Sequence, residues 1–163
     1  MTTEVREYTN VDKDGWGSGA WQNEPDKIQW VDATTNLDCL MKRHPTSGHW
    51  CGYVGVAEPH PVFEKNYDDV NVDVHGGLTY AAFCDERENP AEGICHVPFE
   101  GRPHRVWWLG FDCAHSGDES PGMRRWNREH GFSREWEAYR DRRYVEHEVR
   151  SLATQLRAMQ PEV

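Results

Sequence analysis

Apolar positions in this chain follow two spacings, short β-prone runs in the first two thirds and helical steps near the carboxyl end. Ile28–Val31 and Leu37–Met41 flank Asp32-Ala-Thr-Thr-Asn36, which predicts a β-hairpin closed by a five-residue loop. His49–Val56 predicts a third strand. Because side chains alternate along a strand, Trp50, Val54 and Val56 share one face, with His49, Cys51 and Tyr53 on the other. Gly52 and Gly55 within it mark close backbone approach or a bulge. Val70, Val72 and Val74 alternate with Asn71, Asp73 and His75, predicting a further strand over Val70–His75. Ile94–Val97 reads as a short strand or extended piece. Val106–Phe111 lacks alternation, the pattern of a central strand covered on both faces.

Val145, Val149, Leu152, Leu156 and Met159 recur at steps of 4, 3, 4 and 3, one apolar stripe on a helix. Asp141 stands where an N-cap belongs, and Pro161 follows the last stripe residue. Gln155 lies off the stripe. Residues 121–137 predict a shorter helix. The proline-bearing stretch Ala57–Asp69 and the charged stretch Asp85–Gly93 read as loops. Residues 1–20, polar and Gly-rich, read as an amino-terminal arm, leaving 21–163 as the domain. Strands first and helices last predict a single compact α+β domain. Its antiparallel or mixed sheet carries the C-terminal amphipathic helix on one face.

A length of 163 residues suits one such domain. No apolar run is long enough to span a membrane, and the first residues lack the basic and apolar regions of a signal peptide. The five cysteines are odd in number and form no CxxC pair, which predicts free thiols in a cytoplasm. The net charge of −10 is uneven: residues 1–100 carry 7 basic and 18 acidic side chains, residues 101–163 carry 11 and 10. Such a surface repels a phosphate backbone and argues against general nucleic-acid binding. Two local clusters, Arg124, Arg125, Arg128 and Arg140, Arg142, Arg143, are solvated helix faces or seats for a small anion.

Three runs stand out: Gly48–Val56 (GHWCGYVGV), Val74–Tyr80 (VHGGLTY) and Trp107–His115 (WWLGFDCAH). They resemble a family of small, mostly uncharacterised proteins frequent in tailed-phage and prophage genomes. The likeness runs from about Trp21 to the final helix. It implies a phage-linked origin and action in the host cytoplasm, and carries no family activity.

The last two runs end in His, Asp, Cys and Gly, where strand ends hand side chains to loops. Asp112, His115 and Asp118 lie at steps of three. With His75 from the neighbouring run they make a mixed nitrogen and oxygen set suited to a divalent metal such as Zn, Mn or Fe. Such an ion would turn bound water into a nucleophile, with Asp73 and His115 as candidate catalytic residues. The plainer reading has Asp112 and Asp118 capping turns, His115 donating to a backbone carbonyl and His75 packing beneath the loop. Cys113 could act as a thiolate with His75 or His96 as base, or lie buried and inert. Cys84, Cys95 and His96, perhaps with Cys51, are candidates for a structural zinc site. Gly76-Gly77 reads as a tight turn or a close approach. Trp16, Trp21 and Trp30 either stack on a partner or dock the arm onto the core. Phosphate-loop, Rossmann, GxSxG and kinase signatures are absent.

Two functions follow, and the residues leave open whether the protein is an enzyme. One is a metal-dependent hydrolase of a small polar or nucleotide-like substrate. The other is a non-catalytic binding protein that sequesters a host metabolite or inhibits a host defence factor, its partner a small molecule or a host protein. A structural part of a virion fits so many site-like residues less well.

Overall fold

The computed structural model describes residues 4–132 and 136–161. Its six strands are β1 (Val5–Tyr8), β2 (Lys27–Val31), β3 (Asp38–Arg43), β4 (Trp50–Val56), β5 (Tyr80–Ala82) and β6 (Trp107–Asp112). They form one antiparallel sheet in the order β1-β2-β3-β4-β6-β5. Two helices follow, α1 (Arg124–Glu129) and α2 (Arg142–Ala158).

Asp32 sets the first hairpin. Its Oδ2 accepts from the Thr35 amide at 3.0 Å and the Thr35 hydroxyl at 2.7 Å, and Val31 pairs with Asp38 across the turn. Side-chain oxygens that mimic a backbone acceptor favour such turns. β4 alternates as its sequence predicts. Trp50, Val54 and Val56 pack toward α2, and Tyr53 packs on the opposite face with Leu40 and Trp108. β6 lies between β4 and β5, with Leu109 and Phe111 on the α2 side and Trp108 on the other. Its unbroken apolar run therefore serves two cores.

Asp141 caps α2, its Oδ1 accepting from the Tyr144 amide at 2.8 Å. Val145, Val149, Leu152 and Leu156 are fully buried against β3 and β4, and Met159 is partly buried beside them. Burial of each such aliphatic side chain contributes about 1.5–3 kcal/mol. The helix sits this close because Gly52 has no side chain: a Cβ there would lie 2.5 Å from Phe111 and 2.6 Å from Val149.

Four expectations change. The amino-terminal segment is not irregular throughout, since Val5–Tyr8 forms the edge strand β1 on β2, and the buried Trp16 and Trp21 dock it onto the core. Val70–His75 is no strand. Val70 and Val74 are buried, so the alternation is real, but the main chain bonds to α2 rather than to a neighbouring strand. Ile94–Val97 is likewise unpaired, whereas Tyr80–Ala82, an unpredicted strand, closes the other edge. Of the helix expected over 121–137 only Arg124–Glu129 is α-helical, and residues 133–135 lie outside the described residues.

A charged cluster lies at the end of β3. The Arg43 side chain is wholly buried, bonded through Nε to Asp26 at 3.1 Å and through Nη2 to Glu24 at 3.1 Å. Its guanidinium stacks 4.4 Å from the Trp50 ring centroid. Buried charge survives only when paired and hydrogen-bonded in this way.

Candidate functional site

His75 leaves the extended segment just before Gly76 and Gly77, both with left-handed backbones at φ +68 and +81. Gly76 faces the His115 ring so closely that a Cβ would lie 2.3 Å from Nε2. The glycine pair therefore both turns the chain and lets the two histidines approach. Their ring centroids are 6.1 Å apart.

Asp118 organises the loop after β6. Its Oδ2 accepts from the His115 amide at 3.0 Å and lies 2.8 Å from His75 Nε2, while Oδ1 accepts from Arg140 Nε at 2.8 Å. Burial acts to raise the Asp118 carboxyl, but the bonds from Arg140, His75 and the His115 amide outweigh it and hold the group below its ordinary value. On the other side of the ring the Tyr144 hydroxyl lies 2.7 Å from His75 Nδ1. The result is a chain Asp118–His75–Tyr144, with the Arg140 guanidinium 4.9 Å from the tyrosine ring centroid.

Asp112 makes a second pair. Its Oδ1 is 3.3 Å from His115 Nε2, off the direction of a hydrogen bond, so that buried nitrogen has no bonded partner among the described residues. Oδ1 also accepts from the Ala114 amide at 3.1 Å, and Oδ2 from the Thr79 hydroxyl at 2.9 Å. Both aspartates thus cap turns, as the plainer reading has it, and each also addresses an imidazole.

His75, Asp112, His115 and Asp118 are brought together as one hydrogen-bonded pair, His75–Asp118, and one close contact, His115–Asp112, rather than as converging donors. Both His75 nitrogens are engaged, so a metal there would have to displace Asp118 or Tyr144. Asp73 is not drawn in: it is exposed, and its main chain bonds to Gln155. Tyr144 and Arg140 were missed because the start of α2 reads as a solvated, arginine-rich turn. The one available signal was the place of Tyr144 three residues after the cap, beside the apolar stripe.

Cys113 is buried and its amide donates to Trp50 O at 3.0 Å. Burial, reinforced by Asp118, pushes the thiol well up, so the thiolate scheme has no support in this setting. Burial also pushes Cys51 up to about 12.

Cys84 and Cys95 form a disulfide, which corrects the expectation of five free thiols; Cys39, Cys51 and Cys113 are free. A separation of 11 residues with no paired spacing hides this bond in the sequence. With His96 the two sulfurs form the one group among the described residues whose donor atoms, all within 4.8 Å of one another, could hold a metal. Burial lowers the His96 imidazole below its ordinary value. Lys27 holds the adjoining loop, its Nζ donating at 2.6 Å to the carbonyls of Pro90, Gly93 and Cys95. Burial and Lys42 lower Lys27 to about 8, which leaves it largely charged at neutral pH, as three carbonyl acceptors require.

Among the described residues no helix is long and apolar enough to cross a membrane. No protein-family model matches the chain, and comparison with curated proteins and with solved structures gives no significant match.

Proposed function

We propose that the protein is a small acid–base hydrolase of a polar, nucleotide-like substrate, acting where the His75 turn, the end of β6 and the start of α2 meet. The observation that carries this reading is the chain Asp118–His75–Tyr144 beside the pair Asp112–His115, with the two imidazoles 6.1 Å apart. Hydrolysis of an ester needs one group to take a proton from water and another to give one to the leaving oxygen. Each must reach within about 2.6–3.2 Å of its target. His115, ring part-exposed beside an aspartate, is the base. The Tyr144 hydroxyl is the acid; the phenolate it leaves takes the Nδ1 proton of a His75 imidazolium held by Asp118, and the proton that His115 takes from water returns to His75 through solvent. His75, with both nitrogens occupied, acts through Tyr144.

Arg140 places a cation next to this chain, which suits an anionic substrate. The motif likeness to tailed-phage proteins fits an action on a metabolite of the host cytoplasm. The metal-assisted form of the same reading uses His75, Asp112, His115 and Asp118 as ligands of a divalent ion, and differs in requiring that ion for turnover.

A panel of chromogenic phosphodiesters, phosphomonoesters and carboxylic esters tests the reading, assayed with and without chelator. The expected result is turnover of a phosphodiester that survives chelation and falls about 10²- to 10⁴-fold in Tyr144→Phe and His115→Ala. Loss on chelation selects the metal-assisted form. No turnover across the panel, or variants equal to wild type, refutes both.

A second reading, capture of a small anion without catalysis, rests on a different place. A cleft of about 560 Å³ is lined by Arg124, Arg125 and Arg128 of α1 together with Trp16 and Ser18. Three arginines lining one cleft with a tryptophan suit a phosphorylated planar ligand. Calorimetric titration with nucleoside mono- and diphosphates, repeated on Arg128→Ala, would reveal such binding, and unchanged heats in the variant would exclude this cleft.

A further inference from the structure

We propose that Cys84, Cys95 and His96 form a redox-gated site for a zinc-like divalent cation, a disulfide when oxidised and a two-thiolate, one-imidazole ligand set when reduced. The site lies on the face of the sheet opposite α2 and does not depend on the acid–base reading.

Cys84 and His96 already stand at the separation of ligands on a tetrahedral ion, and Cys95 Sγ reaches it once reduction lets the two sulfurs part. Cys84 Sγ lies 3.8 Å from His96 Nδ1, and all three donor atoms fall within 4.8 Å of one another. Zinc with bonds of about 2.3 Å to sulfur and about 2.0 Å to nitrogen needs donors roughly that far apart. His96 is oriented for the task. Its Nε2 donates to the Pro103 carbonyl at 2.9 Å, which leaves the Nδ1 lone pair directed toward the sulfurs. The Trp108 indole N–H donates to Cys84 Sγ at 3.3 Å and would stabilise a thiolate there.

The loop does not rely on the disulfide to stay in place. Lys27 grips the carbonyls of Pro90, Gly93 and Cys95, and Gln29 makes two bonds of 2.8 Å to the main chain of Val97. The Asp85 amide also bonds the Ile94 carbonyl at 3.1 Å. Reduction therefore frees two thiols from a backbone held by β2. A cavity of about 210 Å³ bordered by Cys95, His96 and His104 leaves a fourth position for water or for the His104 imidazole.

The chemistry balances with a dithiol as reductant. Exchange with the dithiol breaks the Cys84–Cys95 bond, transfers two electrons and two protons to the protein and leaves the reductant as its own disulfide. Binding of the cation then displaces the two thiol protons, so affinity rises with pH.

The experiment uses Co²⁺ as the spectroscopic probe, with a water-soluble phosphine as reductant and circular dichroism to follow the fold. Reduced protein should take one Co²⁺ per chain with thiolate-to-cobalt charge transfer and the visible bands of a tetrahedral ion, and Zn²⁺ should displace it. Oxidised protein should show neither. Cys95→Ser should abolish the charge transfer seen at the same Co²⁺ concentration. His96→Ala and His96→Gln should each weaken Zn²⁺ binding at least about 10-fold. Reduced, folded wild type without the cobalt bands overturns the proposal, as does binding indifferent to Cys95→Ser. Loss of the sheet on reduction alone also overturns it, because the ligands would then not be preformed.

Discussion

Gln155 holds both main-chain polar groups of Asp73, its Oε1 accepting from the amide at 2.7 Å and its Nε2 donating to the carbonyl at 2.8 Å. One side chain thereby does what a neighbouring strand would do for this residue. Glu148 repeats the device two turns earlier, accepting from the His75 amide at 2.9 Å. Gln155, off the apolar stripe, would be expected to be dispensable, and the structure says otherwise. Gln155→Ala should cost about 1 kcal/mol, since exposed bonds are partly replaced by water. It should also speed hydrogen exchange at Asp73 more than at β4. Leu152→Asp, which removes a fully buried side chain and inserts a charge, should cost about 4 kcal/mol or more. Urea denaturation of the two variants ranks them, and equal midpoints would contradict the packing of α2.

Arg43 provides a second stability test. Its guanidinium reaches Asp26, Glu24, the Gly48 carbonyl and the Tyr139 hydroxyl, and its side chain has no solvent exposure. Arg43→Met keeps the stem but leaves Glu24 without its cation and Asp26 with Lys13 alone. The expected loss is about 3–5 kcal/mol, the range for breaking a buried pair from one side. A change below about 1 kcal/mol would mean that the cluster is far wetter than its burial implies.

Asp118 predicts a pH dependence. Its folded value lies below the ordinary one, so its contribution is fully present above the unfolded value of about 3.9 and is lost as pH falls through the folded value. Asp118→Asn removes this contribution. The stability gap between wild type and variant should therefore be widest above about pH 5 and close as the medium is acidified toward about pH 2. A constant gap across that range would show that the carboxylate is not held by Arg140 and His75 as described.

Thiol titration checks the cysteine pairing. Under denaturing, non-reducing conditions Cys39, Cys51 and Cys113 should react and Cys84 and Cys95 should not; after reduction all five should react. Peptide mapping should place the single bridge between residues 84 and 95.

Legibility in the sequence follows the range of the interaction. The β2–β3 hairpin, the two faces of β4, the doubly covered β6 and the α2 stripe are local patterns, and each reads directly from spacing. β1 was hidden because its side chains are mostly exposed, so its place rests on main-chain pairing that leaves no apolar signature. The Val70–Val74 alternation reports one buried side and is silent on what the backbone bonds to. The site was half legible. His75, Asp112, His115 and Asp118 stand at the ends of apolar runs and do meet, whereas Tyr144 and Arg140 come from a distant stretch and enter only through three-dimensional packing. The Cys84–Cys95 bond depends on a loop held by Lys27 and Gln29, which no spacing rule reveals.

Gln155, Glu148 and Tyr144 all belong to α2, and so does the stripe that closes the larger core. A polypeptide interrupted during synthesis before α2 emerges could pair its strands, yet it would leave His75 unanchored and without its phenol partner. Premature release or clipping ahead of Arg142 would accordingly yield fragments that lack the Asp118–His75–Tyr144 chain, coupling assembly of this cluster to the arrival of α2.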